Sequence, residues 1–231
     1  MAMAKKTVGV LGGMGAKATA RFYTMLTAAQ RVKTEQDYMD ATIYSKTSIP
    51  DRTAFILGES GENPAPSLIA AAVALEKAGA DFIAMACVTA HYFYGEIAAA
   101  VNIPVMNVLD VLAARLAAQQ VKTIGLLATD GTIQACILHD AIEPMGIQVV
   151  TPNAADQADL MACIYEIKQG KCVDGKCLTA LEASLAAKGA QAIILGCTEL
   201  SLMSGKRGRL PSIDVLEILV DAALEMGGVH G

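Results

Sequence analysis

The sequence predicts an α/β protein built from two similar halves, each with its own parallel sheet. Composition is the first reason. Of 231 residues, 54% are hydrophobic and only 4% aromatic, with no Trp and 20 Gly. Chains rich in small apolar residues suit buried strands under tightly packed helices. The second reason is order: short apolar runs alternate with segments of helical spacing, the pattern of β-α-β units. The third is repetition. "KKTVGVLGGMGA" resembles "VKTIGLLATDGT", "LIAAAVALEKAGADFIAMACVTA" resembles "LTALEASLAAKGAQAIILGCTEL", and "IPVMNVLDVLAARLAA" resembles "LPSIDVLEILVDAA". Equivalent positions lie 116 apart at Gly9 and Gly125, 110 at Cys87 and Cys197, and 107 at Pro104 and Pro211. Three matches in one order at nearly one offset imply an internal duplication.

Element by element, "KTVGVLGGMG" reads as a buried strand running into a glycine turn. "AKATARFYTMLTAAQRV" follows as a helix whose inner face carries Ala18, Phe22, Met25, Leu26 and Ala29. "ATIYSKTSIPDRT" gives a strand and then a loop closed by Pro50. "APSLIAAAVALEKAGA" is a helix with Ser67 near its start and Gly79 at its end. "DFIAMAC", "HYFYGEIAAAV", "IPVMNV" and "LDVLAARLAAQQ" then read as strand, helix, strand and helix, and the second half repeats the order. The expected halves are 1–112, with a C-terminal helix at 213–231 packing back on it, and 113–212.

Composition also narrows function. Net charge is −5 and no basic stripe is present to neutralise a phosphate backbone, which argues against nucleic acid. "GKRGR" at 205–209 reads as a solvated turn. Mean hydropathy is +0.43, but a membrane helix needs about 20 consecutive apolar residues, and Asp81, Glu96, Pro104 and Asp110 interrupt the candidates. The first residues resemble a signal peptide only until their glycine-rich middle, and a soluble cytoplasmic protein is expected. Six cysteines without a scaffold spacing should be reduced there. Cys172 and Cys177 form a C-x4-C pair with no second pair, so no metal site is expected.

Ligands in open α/β sheets bind beyond the carboxyl ends of the strands. Cys87 and Cys197 both sit at such ends. A free cysteine is commonly a small buried hydrophobe, and Cys136, Cys163, Cys172 and Cys177 read that way. The duplication sets Cys87 and Cys197 apart. Each precedes Thr and then helix-like sequence, where unpaired amides would lower the thiol pKa and receive a carboxylate. Two opposed thiols suit proton transfer on both faces of one carbon. One thiolate takes the α-hydrogen and the other thiol returns a proton to the opposite face. Fixed donors must stabilise the carbanion between these steps. The scheme requires neither pyridoxal phosphate nor metal, and no cofactor motif is visible.

"GVLGGMGAKAT", "IPDRT", "ACVTAH", "GLLATDGT", "TPNAADQ" and "GCTEL" resemble, in order over nearly the whole chain, the PLP-independent aspartate/glutamate racemase family, and its aspartate racemases most. The resemblance implies two α/β domains around a cleft, a two-base mechanism with Cys87 and Cys197, and a homodimer acting on a dicarboxylic amino acid. It implies a substrate site lined by Met14 and Gly15 of the first glycine loop, Val88, Thr89 and Ala90 after the first cysteine, Thr129, and Thr198 with Glu199. Arg52 matches an arginine assigned to a substrate carboxylate, for which a guanidinium fork is suited. Lys168 lies in "IYEIKQGK", a region where the family has a basic residue facing the substrate, and by its place at a helix end it reads first as a solvated lysine. Three positions depart from the family: Val88 stands where Asn is usual, and Ala16 and Ala86 stand where Pro is usual.

Other readings explain less. "GGMGAKA" fits a dinucleotide fingerprint, but the acidic residues Glu35, Asp37 and Asp40 precede the second strand instead of ending it. A cysteine hydrolase built on Cys87 and His91 leaves Cys197 idle. A non-catalytic amino-acid binding protein needs neither thiol. Isomerases or decarboxylases acting on other small carboxylates, glutamate among them, are the nearest rivals. His91 either tunes Cys87 or supports packing, Glu199 either polarises Cys197 or holds a substrate ammonium, and His139 and His230 read as structural.

Overall fold

The computed structural model describes residues 5–203 and 208–229. The first half runs β1 (Val8–Gly12), α1 (Ala16–Ala28), β2 (Ala41–Ser45), α2 (Arg52–Ile56), α3 (Ala65–Lys77), β3 (Phe82–Met85), α4 (Tyr94–Ala99) and α5 (Val108–Ala117). The second runs β4 (Thr123–Leu127), α6 (Asp130–Gln134), α7 (His139–Ile142), β5 (Gln148–Val150), α8 (Ala154–Lys168), α9 (Lys176–Ala187), β6 (Ala192–Leu195), β7 (Ser212–Asp214) and α10 (Val215–Gly227). His230 and 205–207 of the basic cluster lie outside the described residues.

The two sheets have equivalent orders, β2-β1-β3 and β5-β4-β6-β7, with parallel pairing. Parallel strands need crossover connections, and the helices supply them. The expected strand "IPVMNV" is reduced to one bridge between Ile83 and Val105. Its position is retained: Ile83 N–H donates to Pro104 O at 2.8 Å, just as Ile193 N–H donates to Pro211 O at 2.9 Å.

Strand parity divides the core. Val8, Val10, Phe82 and Ala84 face one cluster, which they share with Ile124, Leu126, Ala192 and Ile194 of the second half. Leu11, Ile83 and Met85 point the other way, onto Leu68, Ala72 and Leu75 of α3. Leu127, Ile193 and Leu195 do the same onto Leu160 and Ile164 of α8 and Leu181 and Leu185 of α9. Successive strand residues face opposite sides, so a strand buried on both faces must be apolar throughout, as these are. Each fully buried Leu, Ile or Phe contributes about 1.5–3 kcal/mol.

The duplicated glycines Gly9 and Gly125 leave no room for a side chain. A Cβ at Gly9 would lie 2.9 Å from Ala80 Cβ, and one at Gly125 would lie 2.6 Å from Ile193 Cδ1 and 3.0 Å from Leu185 Cδ1. The C-terminal helix α10 lies against the first half. Its Gly227 carbonyl accepts from Lys6 N–H at 3.3 Å, and Asp221 pairs with Arg115 at 2.6 Å. Among the described residues, no helix is long and apolar enough to cross a membrane.

Candidate active site

Both singled-out cysteines follow the carboxyl end of a strand, two residues past Met85 and Leu195. Both are almost fully buried, Cys87 at 6% exposure and Cys197 at 5%. The helices expected directly after them are 3-10 turns, Thr89–Phe93 and Thr198–Leu202. A five-residue turn has little macrodipole. This corrects the expectation of a lowered thiol pKa at Cys197.

Side chains from the two halves meet at these strand ends. Thr198 Oγ1 donates to the Ala86 carbonyl across 112 positions of sequence at 3.3 Å. The hydroxyls of Thr89, Thr129 and Thr132 form a triangle with each side 3.0 Å, all three buried. Thr129 also caps α6 through Thr132 N–H at 3.2 Å. Nearby, a Cβ at Gly131 would lie 2.9 Å from Thr53 Cα, so α2 and α6 touch backbone to backbone. Thr132 was not singled out in the sequence. Its signal is the second Thr in "ATDGT", three residues after the cap.

Beside this junction lies a cleft of about 270 Å³, lined among others by Gly13, Met14, Gly15, Asp51, Arg52 and Lys168. Cys197 Sγ donates to Glu199 Oε2 at 3.0 Å. The other oxygen, Glu199 Oε1, is buried with no hydrogen-bond partner among the described residues. It faces Gly15, where a Cβ would come within 2.8 Å of it. Lys168, the last residue of α8, approaches the same place: its Cγ lies 3.8 Å from that Gly15 position and its Nζ is 4.0 Å from Asp51 Oδ2. The helix-end lysine is thus drawn into the site, with a side-chain exposure of 18%.

The charges couple. Burial pushes the Cys197 thiol well above its ordinary pKa and Glu199 pushes it further, while Lys168 pulls it back. Burial alone would depress Lys168, but opposing charges, led by the Glu199 carboxylate, hold the ammonium above its usual value. Cys197 therefore rests as a neutral thiol. Glu199→Gln should lower its pKa, because the raising charge disappears. Alkylation of Cys197 at pH 8 should then quicken, measured cysteine by cysteine by mass spectrometry.

Arg52 is buried, and its guanidinium is engaged: Nη1 donates to Pro50 O at 2.8 Å and Ile49 O at 3.3 Å, and Nη2 to Met14 O at 3.1 Å. It ties the first glycine loop to the segment before α2. Its Nε has no partner among the described residues. Val88 packs its side chain into the shared core at 3% exposure, and Ala90 packs against α3's cluster. At Val88 the backbone faces the turn while the side chain fills the core.

His91 is buried with both ring nitrogens occupied. Nδ1–H donates to Cys87 O at 3.1 Å and Val88 O at 3.2 Å, and Nε2 accepts from Val108 N–H at 3.3 Å. Burial pushes its pKa down to about 4, against the smaller opposite pull of those carbonyls. Above pH 6.5 the imidazole is neutral folded or unfolded, and no stability is lost. Between 6.5 and about 4 the unfolded chain takes up a proton that the folded chain refuses. Stability should therefore fall by up to about 3 kcal/mol as pH drops through that window. Urea unfolding at pH 7 and pH 4.5, for wild type and His91→Asn, isolates this contribution; equal losses in the two proteins would contradict it.

Residues 11–223 match the family model described as Asp/Glu/Hydantoin racemase. The chain is 28% identical over 216 residues to the broad specificity amino-acid racemase RacX of Bacillus subtilis, covering 90% of this chain and 92% of that one. Its fold superposes on Picrophilus torridus aspartate racemase with a TM-score of 0.85 at 29% identity, covering 97% and 95% of the two chains. It also superposes on an aspartate racemase homologue from Pyrococcus horikoshii with a TM-score of 0.75 at 30% identity, covering 96% and 99%.

Proposed function

The chain belongs to the Asp/Glu/hydantoin racemase family, and from that premise we propose that it is a cofactor-independent amino-acid racemase using Cys87 and Cys197 as its two bases, with aspartate as a substrate. One observation carries the two-thiol reading. Cysteines made equivalent by duplication sit at equivalent strand ends, and the turns that hold them are joined across the halves by Thr198 and Ala86.

In the direction for which Cys197 is the acid, Cys87 as thiolate removes the α-hydrogen: the C–H bond breaks and an S–H bond forms. The pair of electrons left on the α-carbon is spread into the substrate carboxylate. That charge needs fixed donors to stabilise it, a role the proposal gives to backbone N–H groups after each cysteine. Cys197 then gives its proton to the opposite face, and its S–H bond breaks as the new C–H bond forms. The protonation states are now exchanged and the α-carbon is inverted. Lys168 holds carboxylate charge in the cleft, while Glu199 keeps Cys197 oriented.

A second reading concerns range. Lys168 at this cleft already feels two carboxylates, Asp51 with Oδ2 4.0 Å from its Nζ and Glu199, while backbone carbonyls occupy the Arg52 guanidinium. That favours a site tolerant of neutral side chains as well as acidic ones. The test is α-hydrogen exchange in D2O, followed by NMR and optical rotation, with both enantiomers of aspartate, glutamate and a neutral amino acid such as alanine. Loss of the α-proton signal with rotation decaying to zero is expected for aspartate. No exchange with any of the three would overturn the racemase reading, and exchange confined to aspartate would remove the second reading.

A further inference from the structure

One feature of the duplicated turns lies outside the proton-transfer scheme. His91 and Ser201 each stand four residues after their cysteine. Each reaches the start of the helix that follows in its own half. Those starts are equivalent too: Asn107 caps α5 by accepting from Leu109 N–H at 3.1 Å, and Asp214 caps α10 by accepting from Leu216 N–H at 2.9 Å.

We propose that His91 and the Ser201–Asp214 pair are equivalent clasps, each fastening the turn that carries a cysteine to the N-terminus of the next long helix and so fixing where that thiol points. In the second half, Ser201 Oγ donates to Asp214 Oδ1 at 2.6 Å, with both residues buried. In the first half, the helix start offers the Val108 N–H, which requires an acceptor, and His91 Nε2 supplies it. The opposite ring nitrogen grips the carbonyls of Cys87 and Val88. The two clasps therefore differ in chemistry as their partners do. A hydroxyl donates to a carboxylate in one, and a neutral imidazole accepts from an amide in the other. Neither residue touches the reacting carbon, so both are positioning residues.

Their effect on turnover rests on the racemase reading, but their effect on the thiols does not. The test is iodoacetamide alkylation of the full-length chain, with each cysteine followed by mass spectrometry, for wild type, His91→Phe, His91→Asn, Ser201→Ala and Ser201→Thr. Each lost hydrogen bond to a buried partner corresponds to about a tenfold change in an equilibrium. His91→Phe should speed alkylation of Cys87 by about tenfold and leave Cys197 within about twofold. Ser201→Ala should do the reverse, and Ser201→Thr, which keeps the hydroxyl, should restore wild-type behaviour. His91→Asn keeps a donor near the Cys87 carbonyl and should fall between wild type and Phe, which preserves the comparison if the Phe variant fails to fold. In turnover, kcat should fall by about tenfold with KM within about threefold. The proposal is overturned if both cysteines change in step, if neither changes in a folded variant, or if Ser201→Thr behaves as Ser201→Ala. A wild type that exchanges no α-hydrogen would defeat the racemase reading and leave the alkylation pattern to decide the clasps.

Discussion

Cys87→Ala and Cys197→Ala should each lower racemisation by about 10²–10⁴-fold, the range for loss of a positioned acid or base. The two losses should not be identical in kind. A racemase with one thiol can still remove an α-hydrogen that faces it, but nothing stands opposite to return the proton. Each variant should therefore keep slow, non-inverting exchange into one enantiomer, and the two variants should keep opposite enantiomers. The fold should survive, since trading one buried sulfur for hydrogen costs about 1 kcal/mol. NMR in D2O reads the exchange and polarimetry reads the inversion, with circular dichroism as the check on folding. If either variant racemises aspartate at the wild-type rate, that cysteine is not a base. If both variants exchange the same enantiomer, the thiols do not face opposite sides of the carbon.

The legible parts of this molecule are those that local pattern or repetition dictates. β1, β3, β4 and β6 are continuous apolar runs, and the chain buries them on both faces. The matching of Cys87 with Cys197 came from the duplicated sequence, and the sheets reproduce it in their order, with the counterpart of β7 reduced to the bridge at Val105. What sequence concealed was partner choice over long separations. Lys168 ends a helix that carries no motif of its own, and only the packing of α8 brings it to Glu199 and Cys197. The guanidinium of Arg52 reads from sequence as a free carboxylate fork, yet three backbone carbonyls occupy it. His91 finds its acceptor's role at Val108, 17 residues on, at the first turn of α5. Cys197 shows the physical limit most plainly. Sequence placed it before a helix, which would favour thiolate, but a short 3-10 turn, burial and the Glu199 carboxylate together favour thiol.

Gly13→Ala should be the most damaging single methyl group in the first half. Gly13 has φ +92°, a left-handed conformation that an L side chain rarely adopts, at about 1–3 kcal/mol. It also has no room. A Cβ would sit 2.4 Å from the Lys46 carbonyl carbon and 2.5 Å from its nitrogen. These are backbone atoms just beyond β2, and Lys46 N–H is itself bonded to Gly12 O at 3.2 Å, so they cannot move aside without opening the β1–β2 pairing. Forced repacking of that kind adds about 1–3 kcal/mol. Together they lower the melting temperature by roughly 10 °C in a chain of this size. Activity should fall further than unfolding explains, because Gly13 N–H, bonded to Thr19 Oγ1 at 2.9 Å, sets the path of the loop to Gly15 and Glu199. Gly79→Ala is the control. Gly79 has nearly the same angle, φ +90°, but nothing lies within 4 Å of its Cβ position. It should lose only the conformational part, and racemisation should be unchanged at 25 °C. Equal melting temperatures for the two variants would show that the collision with Lys46 costs nothing, and the first glycine loop would then be held by its dihedral angle alone.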